Sequence, residues 1–205
     1  MTFFAIVVLG YLVGSCPWGY WLVRIFRKED IRHSGSGNIG ASNVWRTYGR
    51  WYGIPVVLLD MLKGFAPALV ATILVGHLAG VLAGGAAMLG HARPVFLKFA
   101  KGGKMVATCG GVFFGVAPLV AVCGLAVWLI VFVLVRYASV ASILAALSLA
   151  PIAVGMGEPW PVWGFGAVAG IAVLVLHRAN LKRLVHGQEH RFQLRRRGSS
   201  LPASS

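Results

Sequence analysis

The residues Met105–Val135, MVATCGGVFFGVAPLVAVCGLAVWLIVFVLV, form an apolar run without a single charged side chain. A helix needs about 20 apolar residues to cross a bilayer, so this run is long for one span. The segment Gly115-Val-Ala-Pro118 in its middle is typical of a turn, because glycine and proline interrupt helices. We therefore predict two short helices here, which return the chain to Arg136 on the side from which it came.

Composition places the whole chain in the same class. It has 205 residues, of which 58% are hydrophobic and only 12% are charged, and its mean hydropathy is +0.79. Such a chain has too few polar side chains to cover the surface of a soluble globule of this size. The sequence therefore predicts an all-α, polytopic membrane protein.

The basic residues are numerous, but their arrangement does not suit nucleic acid. The chain has 19 lysines and arginines against 5 acidic residues, and the basic residues lie in short loops and one tail between apolar runs. That is the positive-inside pattern of membrane proteins, so we expect no nucleic-acid partner. The three cysteines lie within apolar runs without paired or metal-ligand spacing, which argues against a disulfide framework and a metal site.

The positions of the charges predict the topology. Residues 2–23 form a first span that lacks the basic start of a secretory signal. The loop that follows, residues 24–50, is strongly basic and belongs in the cytoplasm, so the N-terminus lies outside. Residues 51–97 are about twice a span in length, with a break at Gly76-His77, and they return the chain to a second basic loop.

The remaining segments complete about seven predicted spans. After Arg136, a hairpin of residues 138–155 and 160–176 turns at Gly157-Glu-Pro159 and delivers the C-terminus to the cytoplasm. Of all the basic residues, only Lys63 then falls within a span.

A five-span alternative, which merges residues 105–135 into one helix, stays open. In either case we expect one integral-membrane domain, residues 1–190, and a basic, disordered tail, residues 191–205. The sequence does not predict the oligomeric state.

Three short polar segments lie at the ends of the apolar runs, at residues 35–40, 101–104 and 177–180. The first, Gly-Ser-Gly-Asn-Ile-Gly, formally matches the dinucleotide fingerprint. That fingerprint follows a strand, whereas this segment follows a predicted membrane helix, so we expect no dinucleotide site. Its glycines can still leave several backbone N–H groups free to face one anion, and Arg46 adds a guanidinium suited to phosphate. The alternative is a flexible loop in which Arg46 only marks topology.

The second segment, Lys101-Gly-Gly-Lys104, is not a Walker A loop, because Met105 stands where a serine or threonine would hold magnesium. Two glycines between lysines at the start of an apolar helix still suit an anion, although a cluster that only marks topology is the alternative. In the third segment, His177 and Asn180 share a helix face where the last span leaves the membrane. A lone histidine there is more often interfacial than catalytic.

These segments, in this order, resemble the three cytoplasmic motifs of the bacterial acyl-phosphate:glycerol-3-phosphate acyltransferases, the PlsY family. The resemblance rests on residues 35–46 (GSGNIGASNVWR), 94–108 (PVFLKFAKGGKMVAT) and 177–189 (HRANLKRLVHGQE). It includes Asp60-Met-Leu-Lys63-Gly64 and Gly90-His91, and it extends over nearly the whole chain.

The resemblance implies an acyltransferase of the bacterial inner membrane with its active site at the cytoplasmic face. Such an enzyme transfers a fatty acyl group from acyl phosphate to the 1-hydroxyl of glycerol 3-phosphate, giving 1-acyl-glycerol 3-phosphate (lysophosphatidic acid) and phosphate. This is the first acylation of phospholipid biosynthesis. Because acyl phosphate is already activated, we expect no covalent acyl-enzyme and no cofactor. The expected partners are the two substrates and membrane lipid.

The motifs together assign roles to individual residues. Three residues are expected in catalysis: Ser36, His177 and Asn180. Four are expected to bind substrate: Asn38, Asn43, Arg46 and Lys104. Six are expected to form phosphate loops: Gly35, Gly37, Gly40, Lys101, Gly102 and Gly103. Glu189 is expected to pair with a basic residue and fix the tail, and proton removal falls either to His177 or to a phosphate oxygen of a bound substrate.

Two positions depart from the family pattern: Met105 stands where the family usually has glycine, and Ala100 is an inserted or altered residue in the second motif. If the backbone at Met105 requires a positive φ, methionine is strained; if the position begins the next helix, methionine fits. The competing hypothesis is a small transporter or channel for a phosphorylated anion, since short spans and cations also describe an anion path. Against it, the cationic motifs gather at one membrane face.

Overall fold

The computed structural model describes residues 1–192, which fold into helices and short loops and contain no β-strand. This confirms the all-α class. The α-helices in chain order are α1 (Thr2–Gly14), α2 (Trp18–Arg27), α3 (Ala41–Tyr48), α4 (Arg50–Val75), α5 (His77–Ala92), α6 (Val106–Val116), α7 (Pro118–Val135), α8 (Ala138–Gly155), α9 (Trp160–Leu176) and α10 (Arg178–Val185). Short 3-10 helices lie in the first and second loops, at Ile31–His33 and Val95–Leu97.

Several helices are long and apolar enough to cross a membrane. α4, α7 and α8 qualify alone, and α1 and α2 qualify together as Thr2–Arg27, which is interrupted near Pro17. α9 and α10, bent by 54° relative to each other, form a fifth candidate. These helices support the polytopic prediction, whereas the count of seven spans and the sides of the two termini stay predictions.

The predicted helix breaks are present. α4 ends at Gly76, whose φ of 114° is a conformation that favours glycine. Ala117 separates α6 from α7, and Pro118 lies in the first turn of α7, where its missing N–H has no helical partner to lose. Gly157 and Pro159 lie between α8 and α9. Residues 105–135 therefore contain two helices, as the sequence predicted.

The close helix crossings depend on glycine. α4 packs against α1, α5 and α6, while α8 packs between α7 and α9. Where α4 crosses α6, a Cβ on Gly64 would meet the carbonyl of Thr108, and a Cβ on Gly111 would meet the carbonyl of Met61. Small residues let membrane helices approach closely, since no hydrophobic force acts between helices in lipid. This crossing fixes the start of α6, to which the second loop leads.

The predicted tail lies almost entirely outside the described residues, which end at Phe192. Within them, the N–H of Phe192 donates to the carbonyl of Arg136 at 2.9 Å. The chain therefore still contacts the membrane domain two residues beyond the predicted boundary at residue 190.

Candidate active site

A cavity of about 270 Å³ lies where the three polar segments meet. All three segments contribute to its polar head, which is lined by Ser36, Arg46, Lys104, His177, Asn180 and Glu189. Its other part is an apolar arm between α6, α7 and α8, lined by Phe114, Leu125, Trp128, Ala145 and Leu149 among others. One space thus combines a cationic head with an apolar arm.

Two asparagines build the first loop. Asn43 Oδ1 accepts from the N–H of Ser36 at 2.8 Å, and Asn43 Nδ2 donates to two loop carbonyls at 3.0 and 2.9 Å. Asn38 Oδ1 accepts from the N–H of Gly40 at 2.8 Å, and Asn38 Nδ2 donates to the carbonyl of Gly102 in the second loop at 3.1 Å. Both amides use donors and acceptors within the protein. Asn38 and Asn43 therefore shape and join the loops, and their contact with substrate stays a prediction.

The two glycines of the second loop pack against the end of α5. The N–H groups of Gly102 and Gly103 donate to the carbonyls of Ala92 and His91 at 2.9 and 3.0 Å. A Cβ on Gly103 would meet the imidazole of His91. These N–H groups are occupied, so they are not the phosphate donors that the sequence suggested. Glycine is required here for close packing.

The starts of two helices lie at the cavity. Ala41 and Ser42 open α3, and Val106 and Ala107 open α6, and all four residues line the cavity. The first N–H groups of a helix have no acceptor within it and carry the positive end of its dipole. Two such ends beside Lys104 make an anion-binding environment.

Lys104 belongs to a hydrogen-bonded group that we call the cavity cluster: Lys104, Ser139, Asn180, Arg183 and Glu189. Lys104 Nζ donates to Asn180 Oδ1 at 2.5 Å, and Asn180 Nδ2 donates to Glu189 Oε1 at 2.6 Å. Ser139 donates to the same carboxylate oxygen, and Arg183 pairs with the other, both at 2.8 Å. Glu189 therefore orients the Asn180 amide and ties the segment after α10 to the start of α8.

The environment of the cavity cluster changes how its members ionise. Burial lowers the pKa of Lys104 to about 8; the Glu189 carboxylate opposes this shift, and the cations Arg183, Arg46 and Lys101 add to it. Burial alone would raise the pKa of Glu189, but hydrogen bonds from its neighbours outweigh burial and hold that pKa below its usual value. Lys104 is therefore a cation at neutral pH that loses its proton under mildly alkaline conditions.

His177 follows α9 and has one ring nitrogen left for a ligand. Its Nδ1 lies 2.8 Å from the carbonyl oxygen of Val173. A carbonyl can only accept, so Nδ1 carries a proton, and in the neutral ring Nε2 is then an acceptor. The side chain is 3% exposed and lines the cavity. This arrangement makes Nε2 available to accept a hydrogen bond from a bound hydroxyl.

Arg46 lies at the edge of the cavity beside a row of aromatic rings. Its guanidinium is 5.8 Å from the ring centroid of Phe192. The Phe192 ring also contacts Trp45 and Phe132, with centroids 6.5 and 5.3 Å away. Phe132 stacks at 4.8 Å on Trp128, which lines the apolar arm. The row therefore connects Arg46 with the arm.

Most of the residues predicted from sequence line the cavity, namely Ser36, Asn38, Gly40, Asn43, Arg46, Lys104, His177, Asn180 and Glu189. Those outside its lining are Gly35, Gly37, Lys101, Gly102 and Gly103. Gly35 and Gly37 have φ values of 60° and 68°, which favour glycine, so they shape the first turn. Lys101 is exposed to solvent.

Sequence reasoning missed Asp60 and His91, which also line the cavity. The family resemblance includes both residues, but no role was assigned to either. The available signal was the three-residue spacing of Asp60 and Lys63, which places two opposite charges on one face of a span. Charges within a span are expensive and usually have a function.

Met105 is the residue before α6 and has a φ of 68°. The backbone at Met105 therefore has the positive φ that was one of the two alternatives for this position. A positive φ disfavours residues with a side chain, so methionine is strained here. The Met105 side chain is 6% exposed and packs in the largest apolar cluster of the protein, with Cys109 and Val112 among its members. Burial of this side chain offsets the backbone strain.

Comparison with known proteins places this site in a family. The family model of glycerol-3-phosphate acyltransferase matches residues 4–187 of the chain. The glycerol-3-phosphate acyltransferase of Aquifex aeolicus (strain VF5) is 44% identical over 189 residues, covering 91% of this chain and 97% of that protein. The one from Roseiflexus sp. (strain RS-1) is 46% identical over 196 residues, covering 92% and 95%.

Solved structures agree with the sequence comparisons. The chain resembles a crystal structure of PlsY, an integral membrane glycerol 3-phosphate acyltransferase, in its glycerol 3-phosphate form, with a TM-score of 0.90 at 42% identity. The similarity covers 94% of this chain and 96% of that one. The lysophosphatidic acid form of PlsY gives a TM-score of 0.87 at the same identity. The chain therefore belongs to the glycerol-3-phosphate acyltransferase family of integral membrane enzymes.

Proposed function

We propose that this protein transfers a fatty acyl group from acyl phosphate to the 1-hydroxyl of glycerol 3-phosphate, giving lysophosphatidic acid and phosphate. The observation that carries the proposal is the cavity, in which a cationic head continues into an apolar arm. Both substrates bear a phosphate, and only the donor bears a long apolar chain. PlsY, at 42% identity, has a glycerol 3-phosphate form and a lysophosphatidic acid form, which correspond to the acceptor and the product of this reaction.

The acceptor binds in the polar head. Glycerol 3-phosphate is a small dianion, and Lys104 and Arg46, which both line the cavity, supply cations for it. The hydroxyl of Ser36 and the amide of Asn180 are neutral groups suited to its hydroxyls. Held this way, the 1-hydroxyl points toward the junction between head and arm.

The donor, acyl phosphate, binds across the junction between the polar head and the apolar arm. Its acyl chain occupies the apolar arm between α6, α7 and α8, and its phosphate lies against the starts of α3 and α6. The N–H groups of Ala41, Ser42, Val106 and Ala107 are the donors for this phosphate. These groups are fixed by helix geometry, so they stabilise the departing phosphate without reorganising.

The reaction is a direct displacement at the acyl carbon. The acceptor oxygen forms a bond to the carbonyl carbon, negative charge develops on the carbonyl oxygen, and the bond from that carbon to the phosphate oxygen then breaks. Phosphate leaves with the bonding electron pair. Because the acyl phosphate is activated, orientation of the two substrates supplies most of the rate enhancement. The reaction so written needs no covalent acyl-enzyme and no cofactor.

Two groups are candidates to accept the proton of the acceptor's 1-hydroxyl. One is Nε2 of His177, since Nδ1 is committed to the Val173 carbonyl. The other is a phosphate oxygen of a bound substrate, in which case His177 binds and orients. In His177→Gln, a loss of kcat with unchanged glycerol 3-phosphate binding supports the base, and a raised KM with kcat retained supports the binding role.

We place the active site at the cytoplasmic face of the bacterial inner membrane. The three polar segments meet through the bonds from Asn38 to Gly102 and from Lys104 to Asn180. The basic loops at this end of the bundle belong inside by the positive-inside rule. The acceptor then reaches the head from the cytosol, and membrane lipid surrounds the helices.

The second candidate function is a transporter or channel for a phosphorylated anion. Such a site is expected near the middle of the membrane with access from both sides. In this protein the cations Arg46, Lys101, Lys104 and Arg183 all lie around one end of the bundle. A transporter also has no use for an apolar arm that joins the phosphate site. Acyl transfer therefore explains more of the cavity.

The test is reconstitution of the purified protein with palmitoyl phosphate and labelled glycerol 3-phosphate. We expect labelled lysophosphatidic acid and one phosphate released per molecule formed. Lys104→Ala should abolish product, whereas Lys101→Ala, the exposed lysine of the same segment, should retain activity. Absence of product from the wild-type protein, or equal activity of Lys104→Ala and wild type, would refute the proposal.

A further inference from the structure

A second group of ionisable side chains lies deeper in the bundle. We call Asp60, Lys63 and His91 the buried cluster; their exposures are 2%, 3% and 4%. Lys63 Nζ lies 2.8 Å from Asp60 Oδ1, and His91 Nδ1 lies 3.6 Å from the same oxygen. Asp60 and Lys63 belong to α4, and His91 belongs to the last turn of α5.

Stability alone does not explain the buried cluster. Taking a carboxylate and an ammonium out of water costs about as much as their attraction returns, so a buried ion pair is weak evidence for stabilisation. Within the described residues, His91 Nδ1 also has no hydrogen-bond partner. An ion pair inside a membrane bundle therefore calls for a function, either in a site or in fixing one arrangement of the chain.

The buried cluster contacts the second loop directly. The carbonyl of His91 accepts from the N–H of Gly103 at 3.0 Å, and the His91 imidazole fills the space where a Cβ on Gly103 would lie. The next residue after Gly103 is Lys104, whose ammonium reaches the cavity head. His91 is therefore both the backbone anchor and the packing surface for the residue that precedes Lys104.

The buried cluster also joins this loop to the first membrane segment. Lys63 Nζ donates to the carbonyl of Cys16 at 2.9 Å. Cys16 lies in the break between α1 and α2, where helix carbonyls lack an intrahelical donor. Lys63 and Asp60 therefore link His91, on α5, to α4 and to the break between α1 and α2.

We infer that the buried cluster is a positioning device for the acceptor site: it holds His91 against Gly103 and thereby keeps Lys104 inside the cavity. The inference rests on the proposed function, in which Lys104 binds glycerol 3-phosphate. Asp60 and His91 border the cavity, but the role inferred for the buried cluster is to act through the loop rather than to bind substrate.

The kinetics of His91→Ala test the inference. Loss of the imidazole removes the packing surface of Gly103 and leaves only its backbone bond to residue 91, so Lys104 moves toward water. We expect KM for glycerol 3-phosphate to rise about tenfold while kcat changes less, since the variant loses acceptor binding rather than chemistry. His91→Gln, which restores bulk against Gly103, should recover most of the affinity. His77→Ala, an exposed histidine at the other end of α5, is the matched control and should behave as wild type.

A pH profile separates displacement of Lys104 from general damage. The charged and titratable groups around Lys104 are Glu189, Arg183, Arg46, Lys101 and His177, and all five remain in the His91 variants. If Lys104 is released toward water, its pKa returns toward the ordinary value for lysine. The alkaline limb of the kcat/KM profile should therefore shift to higher pH by about one unit or more in His91→Ala. A variant that is only partly unfolded loses active enzyme at every pH and leaves the limb in place.

A second variant covers the case in which His91→Ala does not fold. Asp60→Leu/Lys63→Met replaces the ion pair by apolar side chains of similar size, an exchange that buried pairs often tolerate. We expect it to fold, with a raised KM for glycerol 3-phosphate and the same upward shift of the alkaline limb. Wild-type KM and an unmoved limb in this variant, or an unmoved limb in a folded His91→Ala, overturn the inference. An inactive wild-type protein instead overturns the proposed function.

Discussion

The cavity cluster and the buried cluster both contain opposite charges, but they differ in their hydrogen-bond partners and in their access to the cavity. In the cavity cluster, Glu189 receives hydrogen bonds from Asn180, Ser139 and Arg183, and Lys104 faces an open space. In the buried cluster, Asp60 and Lys63 are sealed between helices. The comparison teaches that one group of charges is arranged for a ligand, whereas the other is arranged to fix the chain around it.

The largest effect is expected from Asp60→Asn, which leaves Lys63 as a buried cation without a counter-charge. Removing one member of a buried pair costs about 3–5 kcal/mol of stability. Thermal unfolding in detergent, followed by tryptophan fluorescence, measures this loss. The matched control is Asp30→Asn, which breaks the exposed pair of Asp30 with Arg32; an exposed pair is worth about 1 kcal/mol or less. Equal shifts for the two variants would contradict a distinct structural role for the buried cluster.

The next effect is expected from Asn180→Ala in the cavity cluster. The change removes the acceptor of the Lys104 ammonium and a donor to Glu189. Loss of a preorganised polar group in an active site lowers turnover on the order of 100-fold. We expect turnover to fall while the unfolding temperature stays nearly unchanged. Asp60→Asn, in contrast, should mainly lower the unfolding temperature. His186→Ala, an exposed residue that ends the same helix, provides the control. If Asn180→Ala lowered the unfolding temperature as much as Asp60→Asn, the proposed difference between the two clusters would be contradicted.

The sequence predicts the fold well because its signals are local. Apolar length, the glycine at Gly76 and the proline at Pro118 each act on the chain where they occur, so helix breaks follow from them directly. The predicted break within residues 105–135 is present for that reason. The side of the membrane on which each terminus lies depends on the bilayer, and it stays a prediction.

The site is predicted less completely than the fold, because some backbone groups that could bind a ligand are hydrogen-bonded within the protein. The motifs correctly identify residues such as Arg46, Lys104 and His177 as neighbours of one cavity. They do not reveal that the N–H of Gly103 is bonded to α5, since that carbonyl lies far away in sequence. Asp60 differs, since its three-residue spacing to Lys63 is a local signal, and only its contact with His91 on another helix could not be predicted from the sequence.

An intermediate effect is expected from alkaline pH. The pKa of Lys104 is lowered to about 8, so its positive charge is present below that pH and is lost as the pH rises through it. We expect kcat/KM for glycerol 3-phosphate to fall about tenfold per pH unit above this point. Glu189→Gln removes the nearby anion that favours the ammonium, so it should move this fall to lower pH. A flat profile up to pH 10 would show that Lys104 does not control acceptor binding.

The smallest effect is expected from Phe192→Ala, at the edge of the cavity cluster. The change removes the ring under the Arg46 guanidinium, an interaction worth about 0.5–1 kcal/mol at an exposed site. KM for glycerol 3-phosphate should therefore rise about two- to fivefold with kcat retained. Phe192→Trp should preserve the contact. Phe99→Ala, another exposed aromatic residue in the loops, should have no effect on KM.

The central claim is that one cavity holds both substrates at once and transfers the acyl group directly between them. Initial rates measured over a matrix of palmitoyl phosphate and glycerol 3-phosphate concentrations test this claim most directly. Direct transfer in a ternary complex predicts intersecting double-reciprocal lines and no acylated protein in the absence of acceptor. Parallel lines, together with a burst of phosphate before glycerol 3-phosphate is added, would contradict it, because they are the signature of a covalent acyl-enzyme.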